Sequence, residues 1–294
     1  MAMGDWTRRD FFRRAAAAGA VTIGGPMLLS ACASSDDTTT FEGAKESGKI
    51  KVGFGNEAPY GFTGPDGQLT GAEPEIARVV LRNMGIGEIE AVPSDFGQLI
   101  PGLQAKKFAI VAAGMSIRPD RCENASFSAP EFKVASSFLV PKGNPMGITR
   151  FEDITGKDVK IAVMSGAVEK DYAKEAGVPD DKIITIDTQD NVFRQVQDGR
   201  VYGAALLDIT SRWLLKQNEG APFETTESFQ GSKSAPDVGA FTFRKEDTEF
   251  VNAFNTELQK VKDSGQWLEI VTPFGFSEAN APGPELKTEE LCKA

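Results

Sequence analysis

The sequence predicts an α/β protein of two lobes with a cleft between them. Three observations predict it. Apolar runs with strand character alternate with amphipathic helical segments, the pattern of parallel α/β sheets. The series occurs twice, once before Pro141 and again after Thr155. A late strand, residues 238–243, has no partner left in the second series, which sends it back to the first lobe. Two chain crossings, near 136–140 and 237–243, therefore join the lobes. In such a cleft strand C-termini and helix N-termini face each other, and small ligands bind there.

Residues 49–55 alternate apolar side chains and read as the first strand. Residues 56–71, dense in Gly and Pro, are loop. Glu73-Pro74-Glu75 opens a helix, with acids in its first turn and Pro near N1, where the missing N–H is harmless. Ile76, Val79, Val80 and Met84 lie on one face of it. Residues 89–92 are a short strand, 96–105 a helix, 108–113 a buried strand ending in Gly114, and 136–140 another strand. After Pro141 the series restarts with a strand at 159–164, a helix at 166–176 and a strand at 183–186. Thr188 caps a helix through Gln197. A strand at 201–207 and a helix at 209–217 follow. Residues 246–264 form a long amphipathic helix with Phe250, Val251, Phe254, Leu258 and Val261 inward.

The 294-residue chain has a formal net charge of −10. Arg8, Arg9, Arg13 and Arg14 outnumber Asp5 and Asp10 in the leader, so the chain beyond it is more acidic still. That balance argues against nucleic-acid partners, which need a basic footprint. Histidine is absent, which removes the usual general base, the usual pH switch and the commonest metal ligand together. No metal and no cofactor is expected.

Thr7-Arg8-Arg9-Asp10-Phe11-Phe12-Arg13 resembles a twin-arginine export signal. A weakly apolar stretch follows, too short and too rich in Gly and Ala for a stable membrane span. It ends in Leu29-Ser30-Ala31-Cys32, which resembles a lipoprotein cleavage box. The expectation is a signal over 1–31, lipid on Cys32, a tether over 32–45, and a monomer held outside the cytoplasm at the membrane. Cys122 and Cys292 are then an even pair in an oxidising compartment, expected to form a disulfide.

The richest segment for chemistry runs from Gly114 through Met115, Ser116, Ile117, Arg118, Pro119 and Asp120 to Arg121, at the end of an apolar strand. Gly114 allows close backbone approach. Arg121 offers a fork for a carboxylate, or else pairs with Asp120 or Glu123 on the surface. In the first loop, Glu57 is a candidate partner for a cationic group, or a solvated acid. Tyr60 and Phe96 are candidate stacking surfaces, or core aromatics. Ser165-Gly166-Ala167 opens a helix after a strand, where free N–H groups suit an anion. Asp208 ends a strand and either binds a cation or caps the next helix.

Together these segments resemble family 3 extracellular solute-binding proteins, the receptors of polar-amino-acid importers. Gly114-Met115-Ser116-Ile117, Pro119-Asp120-Arg121 and Phe127-Ser128-Ala129-Pro130 carry the likeness, which covers nearly all of 48–293. It implies a periplasmic-binding-protein-like (type II) fold, two α/β lobes on a two-strand hinge. Lobe 1 is expected over 46–138 plus 239–294, and lobe 2 over 139–238. It also implies closure on a ligand whose carboxylate Arg121 holds, and an ABC permease as partner. Asn56-Glu57-Ala58-Pro59-Tyr60, Gly166-Ala167-Val168-Glu169 and Pro273-Phe274-Gly275-Phe276 are similar to the ectoine/hydroxyectoine-binding branch. That likeness implies a small zwitterion, with Arg121 on its carboxylate, Glu57 on its amidinium, and Tyr60 and Phe96 stacked on the ring. Ser116 departs from the branch, which tends to have an aromatic there. Arg118 and Ala167 depart from ordinary amino-acid binders. Two alternatives stay open: a polar amino-acid receptor, and an enzyme like the periplasmic cyclohexadienyl dehydratases, with Glu57 or Glu73 as the acid.

Overall fold

The computed structural model describes residues 37–231 and 236–293. The expected signal, the Cys32 anchor and the start of the tether lie outside the described residues. The first lobe contributes β1 (Lys49–Phe54), β2 (Phe62–Thr63), β3 (Leu69–Thr70), β4 (Glu88–Pro93), β5 (Ile110–Ser116), β6 (Ser126–Phe127) and β7 (Phe132–Val134). The second contributes β8 (Ser136–Pro141), β9 (Ile161–Met164), β10 (Ile183–Ile186), β11 (Gly203–Leu207) and β12 (Phe223–Thr225). Strand β13 (Asp237–Phe243) then joins the first sheet.

The first sheet runs β4-β1-β5-β13-β6, with β7 also on β13. Strands β1, β4 and β5 are parallel, while β13 is antiparallel to its neighbours. The second sheet runs β10-β9-β11-β8-β12, with β8 antiparallel to both neighbours. Helices cover the parallel strands, as crossover connections require. This is the type II periplasmic-binding-protein fold, a mixed α/β architecture.

The helix Thr248–Asp263 lays Phe250, Phe254, Leu258 and Val261 against the first sheet. Phe254 meets Phe241 at 4.8 Å and Phe243 at 5.3 Å between ring centroids. Burying each such ring stabilises the lobe by about 2–3 kcal/mol. The second lobe has its own core of Phe138, Phe151, Val163, Tyr172 and Ala205.

Several expectations are corrected. The tether expected over 32–45 is already folded at its end. Phe41–Ser47 is a helix capped by Thr40, and Phe41 stacks on Phe250 at 4.6 Å. Phe41 and Ala44, three residues apart, share the buried face, which the polar stretch before them obscured. The first crossing falls at Ala135, because all of β8 from Ser136 belongs to the second sheet. That is earlier than the expected boundary at 138. Strand β5 does not stop at Gly114. Met115 and Ser116 still pair with Ala240 and Gly239, and Gly114 takes a positive φ of 64° within the strand. The helix expected from 166 begins at Glu169. The loop 56–71 contains the β2–β3 hairpin. Cys122 and Cys292 are joined, with Cα atoms 5.6 Å apart, which ties the C-terminal tail to the Pro119–Asn124 helix.

Candidate functional site

The cleft is built where β5 and the first loop of one lobe meet the 164–169 turn of the other. The β5 strand carries Gly114 and Ser116 to the rim, and the short helix after it presents Arg121. Arg121 donates from Nη1 to the Ser116 carbonyl at 2.9 Å and from Nη2 to the Gly166 carbonyl at 2.9 Å. The second bond crosses between lobes. Its guanidinium carbon also stands 5.6 Å from the centroid of Phe96. Two of its five N–H donors are used by these carbonyls.

Glu57 is buried in the first loop, between β1 and the β2–β3 hairpin. Burial pushes its carboxyl up to about 7, and the nearby Arg121 pulls in the other direction. Arg121 and Glu57 thus occupy one electrostatic neighbourhood. Glu169, only 3% exposed, joins them from the second lobe. Burial raises its carboxyl to about 8, and Glu57 and Asp237 push the same way. Asp237, at the start of β13, is raised to about 6, first by burial. It accepts a hydrogen bond from the Tyr172 hydroxyl. Arg118 reaches over the Tyr172 ring at 5.3 Å and approaches Asp171 at 3.8 Å. The cluster therefore holds more buried carboxyls than guanidinium groups, and burial raises the proton affinity of all three.

Other candidates are placed differently from their sequence readings. Tyr60 does not offer a ring face. Its ring packs on Phe132 at 5.4 Å and edge-on to Phe276 at 5.7 Å, in the first-lobe core. A Cβ on Gly114 would stand 2.5 Å from that ring, so only glycine fits above it. Burial first, then Asp208, Glu57 and Glu169, raise the proton affinity of its hydroxyl, while Thr210 pulls the other way. Phe96 is buried with one face toward Arg121.

Two of the three amides at 165–167 are already used. Ser165 N–H donates to Ile186 O at 2.8 Å and Ala167 N–H to Met164 O at 3.2 Å, because the helix starts later. Gly166 presents its carbonyl to Arg121 instead. Asp208 is bound within the protein: it is the first residue of its helix rather than the cap, and the cation it meets is Arg212. One oxygen accepts from Ile209 N–H at 2.9 Å and Ala135 N–H at 3.3 Å. The other meets Arg212 at 2.9 Å and the Ser228 hydroxyl at 3.0 Å. It ties the start of its helix to the first crossing.

Sequence reasoning missed Glu169, Tyr172, Asp237 and Gln189. Glu169 and Tyr172 lie three residues apart on one helix face, a spacing visible in the sequence. Asp237 and Gln189 reach the cleft only through the fold.

Residues 50–277 match the bacterial extracellular solute-binding proteins, family 3. A probable amino-acid ABC transporter periplasmic-binding protein, y4tE of Sinorhizobium fredii, is 35% identical over 260 residues, 86% of each chain. The lysine/arginine/ornithine-binding periplasmic protein of Escherichia coli is 29% identical, covering 74% of this chain and 83% of that one. The crystal structure of EhuB in complex with hydroxyectoine superposes with a TM-score of 0.78 at 32% identity, covering 85% of this chain and 96% of that one.

Proposed function

This chain belongs to the bacterial extracellular solute-binding proteins, family 3, and from that premise we propose that its cleft captures ectoine or hydroxyectoine for an ABC permease. One observation carries the reading: the Arg121 guanidinium lowers the proton affinity of the buried Glu57 carboxyl while it bonds Gly166 of the other lobe, so a cation and an acid stand together where the lobes meet. A compact zwitterion matches that pair. The unused Arg121 donors take the ligand carboxylate, and Glu57 neutralises the delocalised amidinium. Phe96 walls the ring of the solute, and the Tyr60 hydroxyl donates a hydrogen bond to it. Lobe 2 then closes with Gly166 and Glu169. Closure is favoured only by contacts that the closed state makes and the open state lacks. The protein works as a binder, not an enzyme. It stands outside the cytoplasm as a monomer on a lipidated Cys32, which Cys32→Ser would release from the membrane fraction.

A basic amino acid is the second reading. The excess of buried carboxyls from Glu57, Glu169 and Asp237 favours a ligand with net positive charge. A thermal-shift panel of ectoine, hydroxyectoine, arginine and glutamine separates the two, since a ligand of the folded state raises the melting temperature by mass action. Stabilisation by arginine with none by the ectoines discards the first reading and keeps the second.

A further inference from the structure

Gln189 is the first residue of the Gln189–Gln197 helix in lobe 2, and its carboxamide crosses the cleft. Its Oε1 accepts from the Ala58 N–H at 2.8 Å, and its Nε2 donates to the Ala58 carbonyl at 2.6 Å. One side chain thus satisfies both backbone polar groups of a first-lobe residue, much as a neighbouring strand would. Among the described hydrogen bonds, neither group of Ala58 has another partner. The glutamine is only 4% exposed, although its type and its place in a first helical turn favour solvent. Its own helix does not need it: Thr188 is the cap, accepting from the Asn191 N–H.

Ala58 lies in a turn that fixes Glu57. Glu57 N–H donates to Gly61 O at 2.9 Å, and Tyr60 N–H donates back to Glu57 O at 2.9 Å. Gripping Ala58 therefore grips the loop that presents the candidate ligand carboxylate. The polar groove alongside is lined by Asn56 and Asp95 from lobe 1 and by Asp187 and Thr188 from lobe 2.

We propose that Gln189 is a closing latch, a positioning residue that stabilises the shut cleft by clamping the Ala58 peptide and sets how long a solute stays, whatever the solute is. The latch rests on the reading of this cleft as one that opens and shuts, and not on the identity of the ligand. Both hydrogen bonds form only when the lobes meet, so they count wholly toward the closed state. Two net hydrogen bonds shift the closed-to-open ratio by about tenfold or more.

The test uses the full chain with spin labels on exposed residues, one on each lobe, read alone and with hydroxyectoine, ectoine, arginine or glutamine. Stopped-flow fluorescence gives rates for every solute that closes the wild type. Gln189→Ala is expected to lower the closed fraction about tenfold and to raise dissociation about tenfold, with association unchanged and the same factor for every solute bound. Gln189→Asn, one methylene too short to reach both groups, behaves as Gln189→Ala. Both variants keep the wild-type melting temperature without ligand to within a few degrees, which separates a latch from a structural support.

A wild type that closes with arginine and not with the ectoines discards the ectoine reading and leaves the latch standing. Wild-type closed fraction and dissociation in Gln189→Ala overturn the latch. So does a loss that differs between solutes, which makes Gln189 a ligand contact. So does a wild type that never closes, alone or with any of the four.

Discussion

Two regions of this molecule bury an excess of carboxyls, and they do so for different ends. Beneath the first lobe, Glu73 and Glu131 are fully buried against each other, with Lys262 and Trp267 beside them. Burial first, and Glu131 second, hold the Glu73 carboxyl well above the usual range. Lys262 donates to Pro130 O, and the Trp267 indole to Glu131. Every member comes from one lobe. The neighbouring groove of about 500 Å³, lined by Pro130, Lys262, Trp267 and Leu286, likewise involves that lobe alone. In the cleft, Glu57, Glu169, Arg121 and Gly166 come from both lobes, and their contacts exist only while the lobes are together. Burial and displaced proton affinity are thus shared by a structural cluster and a binding one. What distinguishes them is whether parting the lobes exposes the group.

The comparison breaks most sharply at Lys262. Lys262→Met removes the cation beside the cluster together with its bond to Pro130 O, and is expected to cost about 2 kcal/mol of stability, the usual worth of a hydrogen bond to a charged group. Solute affinity should stay within about twofold. Urea unfolding and calorimetry read the two quantities, and a large affinity loss at constant stability would merge the clusters into one. Arg121→Ala is the mirror case. It should lose about 2 kcal/mol of solute binding, some 30-fold, because a ligand carboxylate loses its fork. Its melting temperature without ligand should change little; unchanged affinity removes Arg121 from the site.

Gly166→Ala probes the lobe contact itself. A Cβ there would lie 2.6 Å from the Gly97 Cα in the opposite lobe, on a residue with φ of 78°. Affinity should fall by about 1–2 kcal/mol through strain and hindered closure. An affinity equal to wild type means that the lobes settle further apart in the bound state.

The last comparison is in pH. Glu57 and Glu169 have native values raised from 4.5 to about 7 and about 8. Between about pH 4.5 and 8 the folded protein therefore holds protons that the unfolded chain has released. Their contribution is complete below 4.5 and is lost as pH rises through 7 to 8, so ligand-free stability should decline across that window. A cationic ligand group beside Glu57 favours the ionised carboxylate, so binding near neutrality should release a fraction of a proton. Calorimetry in buffers of different ionisation enthalpy measures it, and Glu57→Gln should reduce it. Proton uptake on binding would put the ligand cation elsewhere.

Much of this is legible in the sequence. Strand β10 at 183–186 and the Thr188 cap read directly from apolar run length and capping chemistry. The Arg121 and Glu57 candidates came from position at strand and loop ends, and from a resemblance carried by runs such as Pro119-Asp120-Arg121. The short strands β6, β7 and β12 escaped, since two or three residues have no period to detect. Asp208 and Tyr60 were open between two roles, because composition says nothing of which partners surround an oxygen or a ring.

Local order in this chain, its alternating strands and helices, follows from residue type and spacing, which act over a few neighbours. Which acids share a neighbourhood does not. Gln189 meets Ala58 across 131 residues, and Asp237 meets Tyr172 across 65. Only the packing of two sheets and the meeting of two lobes set those distances, and proton affinity and closure depend on distance, not on sequence order.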